Sequence, residues 1–108
     1  MILHTNIKTE NIMIIEYIRY KLPQEDHKQF IDALEKACII LKNYPDCLNY
    51  QLAQCSEDKD LFTWRIEWTS IDRHINGFRK SKEFADFFSL VKPFFNSIQE
   101  MNHYEVII

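Results

Sequence analysis

The chain of 108 residues holds one glycine and three cysteines, and each scarcity removes a class of function. A single glycine leaves no phosphate-cradling loop and no dinucleotide fingerprint, both of which need several glycines at close spacing. Cys38, Cys47 and Cys55 lack the C-x-x-C spacing of a zinc site or a redox pair. Cys47 and Cys55 fall along one expected strand, and at about 3.3 Å per residue they stand roughly 26 Å apart, beyond disulfide reach. Cys38 falls on the apolar face of an expected helix, so all three are read as free thiols. The histidines His4, His27, His74 and His103 are scattered, none with a second His or Cys at ligand spacing, so no metal and no cofactor is expected.

Charge and hydropathy exclude two further partners. Net charge is −3, with acidic and basic residues interspersed. No basic run or stripe is available for nucleic acid. Apolar stretches such as 12–15 are far too short to span a bilayer. The start lacks the charged region, apolar segment and cleavage site of a secretory signal, which makes a cytoplasmic location the default expectation.

What is present suits folding. The composition is 46% hydrophobic and 14% aromatic, enough for a thin core in one domain. Residues 1–11 read as an N-terminal extension and 12–108 as the single domain. Most of the phenylalanines lie between 78 and 95, which suggests a cavity wall or a subunit contact as well as core.

Residues 12–20 favour a strand that is apolar on both sides. Met13, Ile15 and Tyr17 point one way, and Ile12, Ile14 and Ile18 the other. Such a strand needs cover on both faces. One layer of helices covers one face, and a second copy of the chain is expected to cover the other, giving a homodimer. Pro23, followed by Glu25 and Asp26, opens a helix. Phe30, Leu34, Cys38 and Leu41 recur at helical spacing until Tyr44-Pro45 ends it. Leu48, Tyr50 and Leu52 then alternate with Asn49, Gln51 and Ala53. After a polar turn at 56–60, residues 61–68 form a clean strand, with Phe62, Trp64, Ile66 and Trp68 on one face and Thr63, Arg65 and Glu67 on the other.

Ser70 is placed to cap a short helix that stops at Gly77, and Ser81 to cap a longer one. Phe84, Phe87, Phe88, Val91, Phe94 and Phe95 make an aromatic stripe that Pro93 kinks or ends. Residues 98–108 close the chain as a strand. The order β-α-β-β-α-β is the ferredoxin-like arrangement of an α+β domain, with a four-stranded antiparallel sheet.

The run W-T-S-I-D-R-H-I-N-G-F-R-K-S-K-E-F at 68–84 resembles the segment after strand three in the antibiotic-biosynthesis monooxygenase family. The resemblance extends over about 12–107. The strings H-x-x-G-F-R-x-S, V-x-P-F and E-M-x-H-Y are similar to a branch sometimes joined to truncated haemoglobins. The resemblance implies a dimeric α+β barrel, in which two sheets face each other and each subunit keeps a cavity between sheet and helices. It also implies oxidation of a planar phenol or quinol by molecular oxygen without metal or flavin. Members with that activity carry Asn-x3-Trp-x5-Tyr at this junction. Here the matching positions are Trp64, Trp68 and His74, so the central Trp is kept, Tyr becomes His and Asn becomes Trp. The heme-degrading branch instead has a first-strand Asn and a His on the second long helix. Tyr17 stands near the first position and 81–96 contain no His.

The candidate site residues each have two readings. His74 is the expected base, taking a phenolic proton to leave an electron-rich anion. Its ordinary reading is a surface histidine near Asp72 or Glu83. Arg79 either steadies developing negative charge or binds the carbonyls that end the short helix. Trp64 and Trp68 share a face and form either a wall for stacking planar rings or plain core. Tyr17, Phe78, Phe84, Phe88 and His103 complete the expected substrate-binding set. Arg65 and Glu67, on the opposite face, are expected to pair. The alternative to an enzyme is a dimeric binding module for a planar apolar ligand such as a quinone or heme.

Overall fold

The computed structural model describes residues 12–108, so the expected extension at 1–11 lies outside it. The elements run β1 (Ile14–Lys21), α1 (Gln24–Lys42), β2 (Cys47–Gln54), β3 (Leu61–Trp68), α2 (Glu83–Val91) and β4 (Ile98–Glu105). The four strands form one antiparallel sheet in the order β2-β3-β1-β4. This is the ferredoxin-like α+β arrangement read from the sequence.

Alternation decides which face is buried. Ile14, Glu16, Ile18 and Tyr20 of β1 and Phe62, Trp64, Ile66 and Trp68 of β3 all point inward. Both helices lie against this inner face. Acidic Glu25 and Asp26 in the first turn of α1 and Lys42 in its last suit the helix dipole. Its apolar stripe, Phe30, Leu34, Ala37 and Leu41, is almost wholly buried. Each such side chain contributes about 1.5–3 kcal/mol if it is large. Phe30 joins the layers, with its ring 4.7 Å from Tyr20, 5.1 Å from Phe62 and 5.2 Å from Phe94. No described helix is long and apolar enough to cross a membrane.

Four local expectations need correction. The first strand begins at Ile14, and Ile12 precedes it as an exposed residue. Leu48 does not share a face with Tyr50 and Leu52. The register of β2 on β3 shifts between Cys47 and Asn49, and the bulge leaves Leu48 54% exposed. Gly77 does not stop its turn by a left-handed conformation, since its φ is −97°. Ser81 does not cap α2; its hydroxyl donates to the Phe78 carbonyl at 2.6 Å. By contrast Ser70 does cap, accepting the Arg73 N–H at 3.1 Å. Pro93 ends α2 as expected, sitting in the first turn of a 3-10 segment, Lys92–Ser97.

Candidate active site

A cavity of about 560 Å³ opens between the inner face of the sheet and α2. Ile18, Trp64, Phe84, Phe87 and Phe88 give it an apolar lining. Five ionisable side chains also reach it: Glu16 and Tyr20 from β1, His74 from the π-helical turn Arg73–Gly77, and Arg79 and Lys80 from the 3-10 turn Phe78–Lys80. An apolar cavity with a few convergent polar groups is the ordinary form of a small-molecule site.

Glu16 is the centre of the polar end. It is 5% exposed, among apolar neighbours on β1. The Trp68 indole N–H donates to its Oε1 at 3.1 Å, and His74 Nε2 lies 3.3 Å from the same oxygen. His74, 3% exposed, meets His103 Nε2 through its Nδ1 at 2.8 Å. Its ring lies flat on Trp68, with centroids 4.5 Å apart and planes within 11°. Stacking on Trp68 and the short turn fix the imidazole with one nitrogen toward each partner.

Glu16 and His74 stand at ion-pair distance, yet burial opposes both charges. Loss of hydration raises the Glu16 carboxyl to about 7, against the opposing pull of the Trp68 hydrogen bond and the Arg79 charge. Burial, then the nearby Arg79 charge and then His103, lower the His74 imidazole to about 3. His103 is lowered too, by burial and by Arg79. The physically favoured state near neutrality is therefore a neutral imidazole beside a carboxyl poised between its two forms. Burial and the Glu16 charge together push the Tyr20 hydroxyl above the usual phenol range. A perturbed carboxyl in an apolar cleft marks a functional-site candidate on physical grounds.

The structure divides the sequence-predicted residues. It brings His74, Arg79, Trp64, Phe84 and Phe88 to the cavity. Trp68 and Phe78 are fully buried behind it, so Trp68 holds Glu16 and His74 rather than offering a stacking surface. His103 touches His74 from β4 but does not line the cavity. Tyr17 is on the opposite face of the sheet, in a shallow depression with Ile15, Arg65 and Tyr104. Alternation along β1 puts it there, one residue out of phase with Glu16 and Ile18. Arg65 and Glu67 pair on that outer face, within one chain.

Sequence reasoning missed Glu16. The signal was available, as a lone carboxylate in I-M-I-I-E-Y-I-R-Y at 12–20, two residues from inward-pointing isoleucines on each side. The three cysteines are free. Cys38 faces the Trp64 indole, whose N–H makes no hydrogen bond of good geometry, and burial pushes its thiol up to about 11. That thiol is inert as a nucleophile at neutral pH. Among the described residues, no three His, Cys, Asp or Glu side chains converge in a way that suits a metal ion.

Comparison with known proteins adds a family. The sequence model described as antibiotic biosynthesis monooxygenase matches residues 13–90. The uncharacterized protein YczJ of Bacillus subtilis (strain 168) is 23% identical over 93 residues, which cover 86% of this chain and 98% of YczJ. A Bordetella bronchiseptica structure described under the same family superposes with a TM-score of 0.72 at 20% identity, covering 89% of this chain and 98% of that one. SnoaB, a cofactor-independent oxygenase from Streptomyces nogalater, superposes with a TM-score of 0.68 at 9% identity, over 90% of this chain and 93% of its own. At these identities the structural likeness speaks for the fold.

Proposed function

Because the chain belongs to the antibiotic biosynthesis monooxygenase family, we propose that it is a cofactor-independent monooxygenase that oxidises a planar phenol or quinol with molecular oxygen. The observation that carries this reading is the buried Glu16–His74 pair at one end of an apolar, aromatic-lined cavity. The cavity volume suits a small ring system resting against the apolar lining of Trp64, Phe84 and Phe88. The substrate hydroxyl gives its proton to the Glu16–His74 pair, leaving an electron-rich phenolate. A ring carbon of that anion adds oxygen to form a hydroperoxide. The Glu16–His74 pair returns its proton to the peroxide, and loss of water leaves a quinone, so one phenolic O–H, one ring C–H and one O₂ become two C=O and one H₂O. Arg79, at the cavity edge, stabilises the negative charge on the substrate oxygen.

The assembly is a homodimer through the outer sheet face, the arrangement the family resemblance implies. The half-buried Ile15 and Tyr17 and the exposed Tyr104 there support it. A second reading, a binding module for a planar apolar ligand such as a quinone or heme, draws on the same lining. What favours the enzyme is Glu16, since a carboxylate is a poor wall for an apolar ligand and a good acceptor of its proton.

The test is oxygen uptake by the purified, metal-stripped protein against hydroquinones and polycyclic phenols. The Glu16 base must be ionised to work, so uptake should rise with pH through about 7. Glu16→Gln should lower the rate about 10²–10⁴-fold and abolish that rise. Tight ligand binding with no uptake across the panel would transfer the site to the binding module.

A further inference from the structure

We infer that Glu16, His74 and His103 form a proton relay, in which His103 is the exit from the buried carboxyl to the sheet edge. The inference rests on the acid–base reading of the cavity but is tested without turnover. Its basis is an unbroken line of contacts: Glu16 Oε1 to His74 Nε2 at 3.3 Å, then His74 Nδ1 to His103 Nε2 at 2.8 Å. The line begins at the cavity wall and ends on β4, an edge strand, at a partly exposed ring. A buried carboxyl that must be ionised before substrate arrives needs a path by which its proton reaches solvent. No other described side chain continues the path from His74.

The hydrogen-bond directions make the relay self-consistent in two states. With Glu16 ionised, His74 Nε2–H donates to the carboxylate, and His103 Nε2–H donates to the bare His74 Nδ1. With Glu16 protonated, its O–H donates to His74 Nε2, and His74 Nδ1–H donates to His103 Nε2, leaving His103 with its proton on Nδ1. Passage from the second state to the first moves a proton from Glu16 to Nε2 of His74. The Nδ1 proton of His74 moves to Nε2 of His103, and the Nδ1 proton of His103 leaves to solvent. One proton is lost, and each imidazole begins and ends neutral.

The surroundings favour this neutral passage. Arg79 and Lys80 face the cavity from the 3-10 turn, Tyr20 lies on β1, and the Cys47 thiol on β2 feels the Glu16 charge. Burial and the Arg79 charge oppose an imidazolium at His74. A simple ion pair, with the proton resting on His74, is therefore the disfavoured arrangement, and tautomer exchange is the route left open. Trp68 acts as a positioning residue, fixing both the carboxylate oxygen and the ring plane.

The experiment is a long-range ¹H–¹⁵N correlation spectrum of the ¹⁵N-histidine-labelled protein at about pH 5.5 and about pH 8.5, either side of the Glu16 transition. The relay requires His74 to change from the Nδ1–H to the Nε2–H tautomer as pH rises, and His103 to change with it at a common midpoint. Glu16→Gln should abolish both changes, which a merely structural histidine contact would not do. A His74 that becomes imidazolium at the lower pH overturns the relay. So does a pair of rings that each keep one tautomer, and both outcomes are read on the unaltered protein alone. Oxygen uptake by that protein decides the monooxygenase reading separately.

Discussion

Two carboxylates on neighbouring strands show how one sheet supports opposite chemistries. Glu16 of β1 lies opposite Ile66, and Glu67 of β3 lies opposite Ile15, one step along the same ladder. That single step reverses the face. Glu67 points outward and pairs with Arg65, with water in reach of both. Glu16 points inward, where it meets an indole N–H and an imidazole but no cation in contact. The outer pair is a surface contact of small worth, whereas the inner carboxyl carries a desolvation cost that favours its protonated form. The strand period turns two chemically identical side chains into a structural group and a poised acid.

The largest difference between the faces should appear on truncation. Trp68→Ala removes a fully buried ring and the N–H that serves Glu16. A loss of about 3–5 kcal/mol is expected, read from the urea midpoint. A loss under about 1 kcal/mol would mean that the inner face is far looser than its burial implies.

Next in size is the pH dependence, where two inner groups act with opposite signs. Glu16 is raised from 4.5 to about 7, so between those values the folded chain holds a proton that the unfolded chain has released. Its stabilising share is complete below about 4.5 and is lost as pH rises through 7. His74 is lowered from 6.5 to about 3, so its share is complete above 6.5 and is lost as pH falls through 3. Between about 4.5 and 6.5 the two slopes oppose each other, and the unaltered protein should show a nearly flat contribution from the pair. Glu16→Gln leaves the His74 slope alone, about 1.4 kcal/mol per pH unit in that window, with stability rising as pH rises. At pH 8 the variant should be the more stable by up to about 3 kcal/mol, the cost of ionising Glu16 in place. Parallel stability curves for the two proteins would remove Glu16 from its role as a strained carboxyl.

The sequence made the inner face legible as far as its period ran unbroken. Strand β3 was readable residue by residue, because F-T-W-R-I-E-W alternates without exception. Helix α1 was readable from its apolar spacing and from the single prolines, Pro23 and Pro45, beside its two ends. Leu48 was not, because a bulge inserts a residue that alternation cannot foresee. Glu16 was obscured by its neighbours, since a run apolar on both faces sets no expectation for the one carboxylate within it. His103 was expected among the substrate-binding residues, and its contact with His74 was not foreseen. Its contact with His74 spans 29 residues and depends on the β1–β4 register, which sets His103 opposite Glu16. Trp68 was left between a stacking wall and plain core, because burial behind His74 is a property of the turn and not of the strand.

The smallest expected effect on the fold belongs to the outer pair. In a separate subunit the Arg65 and Glu67 side chains are 36% and 19% exposed, and such a pair contributes roughly 0.2–1 kcal/mol. Arg65→Ala should therefore leave subunit unfolding almost unchanged. If the outer faces of two sheets meet, the same substitution leaves Glu67 enclosed without its cation, which costs about 3–5 kcal/mol where burial is complete. The effect then appears in association and not in folding. Sedimentation at micromolar concentration should give a dimer for the unaltered protein and a marked shift toward single chains for Arg65→Ala. A mass of one chain for the unaltered protein would leave the outer face to water. The difference between the two carboxylates would then be between a buried acid and an ordinary surface pair, with no second subunit needed to explain either.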